Sequence, residues 1–288
     1  MPSSGVPADW LQPDWPAPAG VHALCTTRAG GVSAPPYDAL NLGDHVHDHP
    51  QAVATNRAVL AQALAARNAG PVRPVFLQQV HGRDVAALQP DTPDGTVADA
   101  CTADAPGLAC TIMVADCLPV LFTNRQGTRV AAAHAGWRGL AGTNGRGVLE
   151  TVLESLMAPA PADPAQIAIN NEAASVAVAG PGDVMAWLGP CIGPSAFEVG
   201  PEVRAAFCAH DTAAAACFTP QRGGKFLADL AGLARHRLRA QGVTALYGND
   251  SSAAWCTVSQ PSRFFSHRRD TAALGGSGRF AACIWLGG

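Results

Sequence analysis

Three side chains in this 288-residue chain have the chemistry to act together on a metal: His81, Cys117 and His134. Two imidazoles and a thiolate, with a fourth position left to water, form a donor set of catalytic zinc. Zinc held this way lowers the pKa of its water toward ~7 and polarises a carbonyl or an amidine carbon. The three residues are far apart in sequence, so spacing alone does not select this reading. The same residues serve a second chemistry, in which Cys117 is a thiolate nucleophile and His134 or His81 its base. A third class is a non-enzymatic, zinc-stabilised binding protein. Structural zinc sites are usually closed by four protein ligands, and three are supplied here unless Cys191 or a loop histidine completes the set. Arg138 has a planar fork suited to phosphate or carboxylate, or it pairs with Asp116 or Asp99. Trp137 either stacks on a base or packs.

These residues sit at the exits of short apolar runs, which read as buried strands bounded by turn residues. Thr111–Ala115 meets Asp116 and Cys117. Val130–Ala133 meets His134 and then Gly136-Trp137-Arg138-Gly139. Val75–Val80 ends at His81-Gly82, and Asp84–Leu88 resumes it, which puts His81 at a turn or bulge. Further strands are expected at Val21–Arg28, Val184–Leu188 and Phe280–Leu286. Helices are expected at Gln51–Asn68 behind Pro50 with Asp48 as cap, Val148–Leu156, Glu202–Ala209 and Asp229–Ala240. Residues 90–106 read as a loop. The alternating His45, His47 and His49 read as a polar loop rather than a ligand set, because a Pro-bounded loop has few rigid neighbours to fix geometry. Residues 1–20 read as an irregular arm, 21–288 as one catalytic domain, and 157–183 as an exposed insertion without periodicity. The two Gly-Pro pairs of Gly189–Gly200 impose a specific loop that delivers Cys191 to one place.

Composition bounds the rest. The chain is 48% hydrophobic, enough for a full core, and 14% charged with a formal net charge of −3. Nucleic-acid and membrane surfaces normally need clustered basic residues, so neither partner is expected. No apolar run reaches ~18 residues and the N-terminus lacks a basic-then-apolar leader, so a cytoplasmic location is expected. Nine cysteines at irregular spacing with no CxxC pair argue against a disulfide framework. No GxGxxG or Walker loop is present. Few helices between strands favour mixed α+β layers over a doubly wound sheet.

Several stretches then carry a resemblance. Gln78–Gly82 (QQVHG), Ala115–Val120 (ADCLPV), His134–Gly139 (HAGWRG) and Gly189–Gly200 (GPCIGPSAFEVG) resemble the signatures of the laccase-domain, or multicopper polyphenol oxidase, family, also called the YfiH or peptidoglycan editing factor family. Thr26–Ser33, Asn41–Pro50, Ser266–Asp270 and Gly278–Leu286 fit in order, so the likeness spans nearly the whole chain. It implies an α+β single-domain layered sandwich of mixed β-sheets flanked by helices. It implies a zinc site of His81, Cys117 and His134, with copper also possible since such donors bind it more tightly. It implies phosphorolysis of adenosine, inosine and methylthioadenosine, with adenosine deamination. On this reading Arg28, Arg138 and Arg268 are candidates for binding phosphate or stabilising the departing charge, Arg138 as a catalytic residue, and Asn41 and Asp44 for contacting ribose. Asp116 orients a ligand from behind. Alternatives within the resemblance are a metal- or Cys-dependent amide hydrolase that edits L-serine from a peptidoglycan precursor, and a polyphenol oxidase. The last fits poorly, because blue-copper oxidases need a Cys-His copper cluster and Cys117 is followed by Leu118. The expected partners are a purine nucleoside and phosphate, on a monomer or weak homodimer. One departure stands out: His267 in Ser266-His267-Arg268-Arg269-Asp270 occupies a place where relatives often carry tyrosine.

Overall fold

The computed structural model describes residues 8–158 and 180–288. In chain order its strands are β1 Val21–Cys25, β2 Arg73–Phe76, β3 Val85–Ala87, β4 Ala100–Ala103, β5 Leu108–Val114, β6 Leu118–Asn124, β7 Val130–Ala135, β8 Val184–Leu188, β9 Glu198–Val199, β10 Phe218–Pro220, β11 Phe226–Ala228, β12 Ala245–Gly248 and β13 Phe280–Leu286. Its α-helices are α1 Pro50–Ala65, α2 Trp137–Ala141, α3 Val148–Met157, α4 Pro201–Cys208, α5 Leu230–Ala240 and α6 His267–Leu274. Strands β5, β6, β7, β8 and β13 are buried at every position, which is why they read as near-continuous apolar runs.

The strands form two large mixed sheets and one small one. The first has the order β1-β13-β5-β2 and the second β12-β8-β6-β7-β4-β3, with β10-β11-β9 set apart. The two large sheets pack face to face. Val75, Ile112, Val114 and Ile284 from the first meet Leu121, Ala132 and Trp187 from the second. Each such aliphatic side chain contributes about 1.5–3 kcal/mol by leaving water. Alternation then sets the outer faces. Ala131, Ala133 and Ala135 of β7 turn to Leu149, Val152 and Leu153 of α3, and the small alanines let that helix lie close. Leu24, Met113 and Trp285 turn the other way, to Leu60 and Leu64 of α1. The result is a helix–sheet–sheet–helix sandwich, as the expected α+β layering requires.

The structure revises several boundaries. Strand β6 is hidden in the sequence because Pro119 interrupts its apolar run; it pairs with β7 and β8 regardless. Strand β4 lies inside the expected 90–106 loop, built from residues too small to announce a strand. The helix α6 over His267–Leu274 was not anticipated; Ser266 caps it by accepting the Arg269 N–H. Helix α1 stops at Ala65 rather than Asn68, and His49 rather than Asp48 caps it, accepting the Gln51 N–H through Nδ1. Asp48 is occupied by Ser33 and Asn41. Strand β1 ends at Cys25, short of Arg28. Most of the expected 157–183 insertion lies outside the described residues. No helix among the described residues is long and apolar enough to cross a membrane.

Candidate metal centre and its cavity

The three donors meet where the chain passes from one large sheet to the other. His81 lies between β2, an edge of the first sheet, and β3, an edge of the second. Cys117 follows β5 of the first sheet and precedes β6 of the second. His134 lies within β7. One ligand atom from each residue falls within 4.8 Å of the other two. His81 Nε2 is 3.7 Å from Cys117 Sγ, and the two imidazoles meet edge to face with centroids 4.7 Å apart. His134 is buried, Cys117 half-buried and His81 exposed, so the set is open on one side.

Local backbone geometry makes this meeting possible. His81 and Asp116 adopt positive φ, 62° and 90°. Such a conformation in a residue other than glycine costs of order 1–3 kcal/mol and persists only when neighbours hold it. At His81 the neighbour is Asp99, fully buried at the start of β4. Its carboxylate accepts N–H groups from Val80 (3.2 Å), His81 (2.8 Å) and Gly82 (2.6 Å), and Nδ1–H of His134 (2.8 Å). One carboxylate therefore fixes the turn that carries one ligand and the tautomer of another. Burial pushes Asp99 up, but these donors outweigh it and hold its carboxyl below the usual range. The Gln79 amide adds a second clamp, pairing with both the N–H and the carbonyl of Met113 on β5. At Asp116, one carboxylate oxygen accepts the Thr257 hydroxyl (2.5 Å) and the other the Arg268 N–H (2.6 Å). The expected orienting role thus falls to Asp99, while Asp116 ties the Cys117 turn to the start of α6.

Gly136 has to be glycine. A Cβ there would lie 2.8 Å from His81 Cδ2 and 3.0 Å from Cys117 Sγ. Without a metal, the donors act on one another. Burial pushes the Cys117 thiol up, but His134 and His81 prevail and bring it down to about 6. Burial pushes His134 down, yet Cys117 and Asp99 raise it to about 9. The depressed Cys117 thiol suits a soft divalent cation, since metal binding needs the thiolate, and a bound cation would displace the proton that His134 holds in its absence. Two nitrogens and one sulfur converging from one side fit zinc, with the open side free for water or substrate.

These donors line a cavity of about 420 Å³ whose apolar walls include Met113, Trp137, Ile192, Phe197 and Leu230. Its polar lining includes His45, Gln79, Asp116, His267, Arg268 and Arg279. Of the residues expected from sequence, Arg268 reaches this cavity. Arg138 does not line it; the guanidinium is exposed and stacks on Trp137 at 4.4 Å. Arg28 pairs with Asp38 (3.3 Å) and holds the Asp38 and Pro261 carbonyls. Asp44 is exposed and pairs with Arg57 (3.1 Å). Asn41 is fully buried in a polar knot below the wall. Cys191 is buried, accepts from Asn249 at 3.4 Å, and is pushed well up by burial, so it is no ligand. Asp99 and Arg279 are the residues that sequence reasoning missed in these roles. Asp99 is signalled only by standing immediately before the small-residue strand, and Arg279 by preceding the buried FAACIWL run.

A sandwich of mixed sheets with a His-Cys-His set at its seam that could hold a metal ion defines the class of protein, and comparison places it within a family. The family model described as multi-copper polyphenol oxidoreductase laccase matches residues 22–287, and the chain belongs to that family. It is 48% identical over 278 residues to a Pseudomonas aeruginosa protein named purine nucleoside phosphorylase, covering 96% of this chain and 98% of that one. It is likewise 48% identical over 276 residues to purine nucleoside phosphorylase YfiH of Escherichia coli, with the same coverage. A crystal structure of the Neisseria meningitidis protein NMB0706 is 43% identical and superposes with a TM-score of 0.79, over 97% of this chain and 100% of that one.

Proposed function

We propose that this protein is a zinc-dependent purine nucleoside phosphorylase acting on adenosine, inosine and methylthioadenosine. The observation that carries the reading is the open three-donor set of His81, Cys117 and His134 on the wall of a cavity flanked by aromatic side chains. Two close relatives named for this activity support it. In phosphorolysis, a phosphate oxygen forms a bond to C1′ of the sugar as the C1′–N9 bond breaks. The base leaves with the electron pair and takes up a proton, giving free base and ribose 1-phosphate. When bound, zinc supplies Lewis acidity and a water acidified toward ~7. The chain's own residues do the rest. Phe197, Trp137 and Ile192 offer flat, apolar contact to a purine and exclude water from it. Arg268 and Arg279 place positive charge where phosphate approaches. Asp99 holds His134 in the tautomer whose Nε2 lone pair faces inward.

The depressed Cys117 thiol beside His134 favours a second reading, a metal-free Cys-dependent hydrolase of amides. One experiment separates them. The purified protein is assayed for metal by mass spectrometry, then incubated with adenosine and phosphate and followed by chromatography. Zinc near one per chain, adenine and ribose 1-phosphate as products, and loss of turnover on chelation are the expected result. Inosine as product assigns deamination at the same centre. Copper in place of zinc would redirect the cofactor assignment, since these donors bind copper more tightly. Inactivation by a thiol reagent but not by a chelator, with no purine turnover, would overturn the phosphorylase reading in favour of the hydrolase.

A further inference from the structure

Arg279 immediately precedes β13 and forms part of the cavity wall. Its guanidinium is held from one side only. Nη1 donates to the carbonyls of Ser277 (2.9 Å) and Gly278 (3.0 Å). Among the described residues, neither Nε nor Nη2 has a protein acceptor, and no carboxylate lies within 4 Å. Arg28, Arg57, Arg237 and Arg269 each have such a carboxylate. The Nε–Nη2 edge is the face with which arginine grips an oxyanion through two parallel hydrogen bonds. Arg268 offers no equivalent edge. Its Nη1 and Nη2 donate to the carbonyls of Ala196 (3.4 Å) and Glu198 (3.2 Å).

The surroundings of Arg279 are shaped to hold it. The Arg279 N–H donates to Asn41 Oδ1 at 2.8 Å. The same oxygen accepts the Gly43 N–H, while Asn41 Nδ2 donates to the Gly43 carbonyl and to Asp48 Oδ2. Asp48 also accepts the Ser33 hydroxyl, and Asn56 Nδ2 donates to the Asn41 carbonyl. All of Asn41, Ser33 and Asn56 are buried. At Gly43 a Cβ would sit 2.8 Å from Arg279 Cγ, so the loop lets the arginine stem lie directly on its backbone. The knot fixes the backbone from which the side chain springs, and Arg279, a cavity-lining cation whose Nε and Nη2 have no protein acceptor among the described residues, leaves that edge for an anionic partner.

We propose that Arg279 is the oxyanion-binding residue of this cavity, gripping inorganic phosphate through Nε and Nη2, and that Asn41 and Gly43 are its positioning residues. The assignment deepens the phosphorylase reading and rests on it for the identity of the anion. The NLGD segment then acts on substrate through Arg279 rather than by touching ribose.

The test uses the full-length, zinc-loaded protein and inorganic phosphate as the probe. Phosphate binding is titrated calorimetrically, and KM for phosphate and for nucleoside are measured separately. Arg279→Gln is expected to weaken phosphate binding about 10- to 100-fold, with nucleoside KM within about threefold and zinc content unchanged. Arg279→Lys restores part of the loss, since charge returns without the fork. Gly43→Ala, which crowds the stem while leaving every polar partner in place, is expected to raise phosphate KM with little change in melting. It stands in for Asn41→Ala should that variant fail to fold. Phosphate affinity unchanged in Arg279→Gln but lost in Arg268→Gln would overturn the assignment, as would a wild-type protein that binds no phosphate. Phosphate binding that depends on Arg279 in a protein with no purine turnover would uphold the subsite and sink the phosphorylase reading alone.

Discussion

Replacing Asp99 by Asn keeps the shape of the side chain and removes its charge, so it isolates what the carboxylate does. In the native structure Oδ1 accepts from His81 N–H and His134 Nδ1, and Oδ2 from Val80 and Gly82 N–H. An amide has one oxygen. Whichever pair of donors that oxygen serves, the amide NH2 faces the other pair, donor against donor. Hydrogen bonds to a charged acceptor contribute about 1.5–3 kcal/mol each, and such losses are not additive, so a net destabilisation of about 3 kcal/mol is expected. For a chain of this size that is ~6–12 °C in melting temperature. The metal feels the change separately. Loss of a carboxylate that orients a ligating histidine typically weakens binding 10- to 100-fold, or about 1.4–2.7 kcal/mol. The assay is a competition between Asp99→Asn protein and a chromophoric chelator for zinc, beside a thermal melt of the metal-free form. Zinc affinity within twofold of wild type would refute the orienting role, even if the melt moved as expected, because the carboxylate would then support only the fold.

Two further outcomes follow from the same geometry. Gly136→Ala places a methyl 2.8 Å from His81 Cδ2 and 3.0 Å from Cys117 Sγ, and is expected to abolish stoichiometric zinc retention while the metal-free protein melts within a few degrees of wild type; metal analysis after dialysis checks it. Phe197→Ala removes an aromatic wall and is expected to raise nucleoside KM about tenfold with phosphate KM unchanged, an effect worth about 1–1.5 kcal/mol that steady-state kinetics with each substrate varied in turn would detect.

The site was more legible in the sequence than the sheets that carry it. His81, Cys117 and His134 were candidates by donor chemistry that spacing alone did not select; the resemblance pointed to the set, and the structure brings their ligand atoms together. Strands β5, β7, β8 and β13 were visible as apolar runs because both their faces are buried. Strand β6 was hidden by Pro119 and β4 by its small residues, and their pairing is settled by tertiary partners that no local pattern encodes. Arg28, Asn41 and Asp44 were drawn toward substrate by their residue types. Their partners, Asp38, the Asn41–Arg279 knot and Arg57, come from elsewhere in the chain, and such pairings cannot be read along it. For the same reason Asp99 remained one of two alternatives for Arg138 until the fold brought His134 to it.

The place of β13 in its sheet has a consequence for synthesis. Phe280–Leu286 comes after every other strand in sequence, yet it lies between β1 and β5, bonded to both. Until those residues leave the ribosome, β1 has no partner in the four-stranded sheet, the inner face of β5 lacks Ile284 beside it, and Arg279 is not yet held by Asn41. The nascent chain must therefore carry an open sheet edge until β13 emerges, and the cavity closes in one long-range step. Non-local closure of this kind is slow and leaves apolar strands open to misassociation. A helper that shields strand edges would act here between the emergence of β5 and that of β13, and the yield of folded protein should track how fast β13 follows.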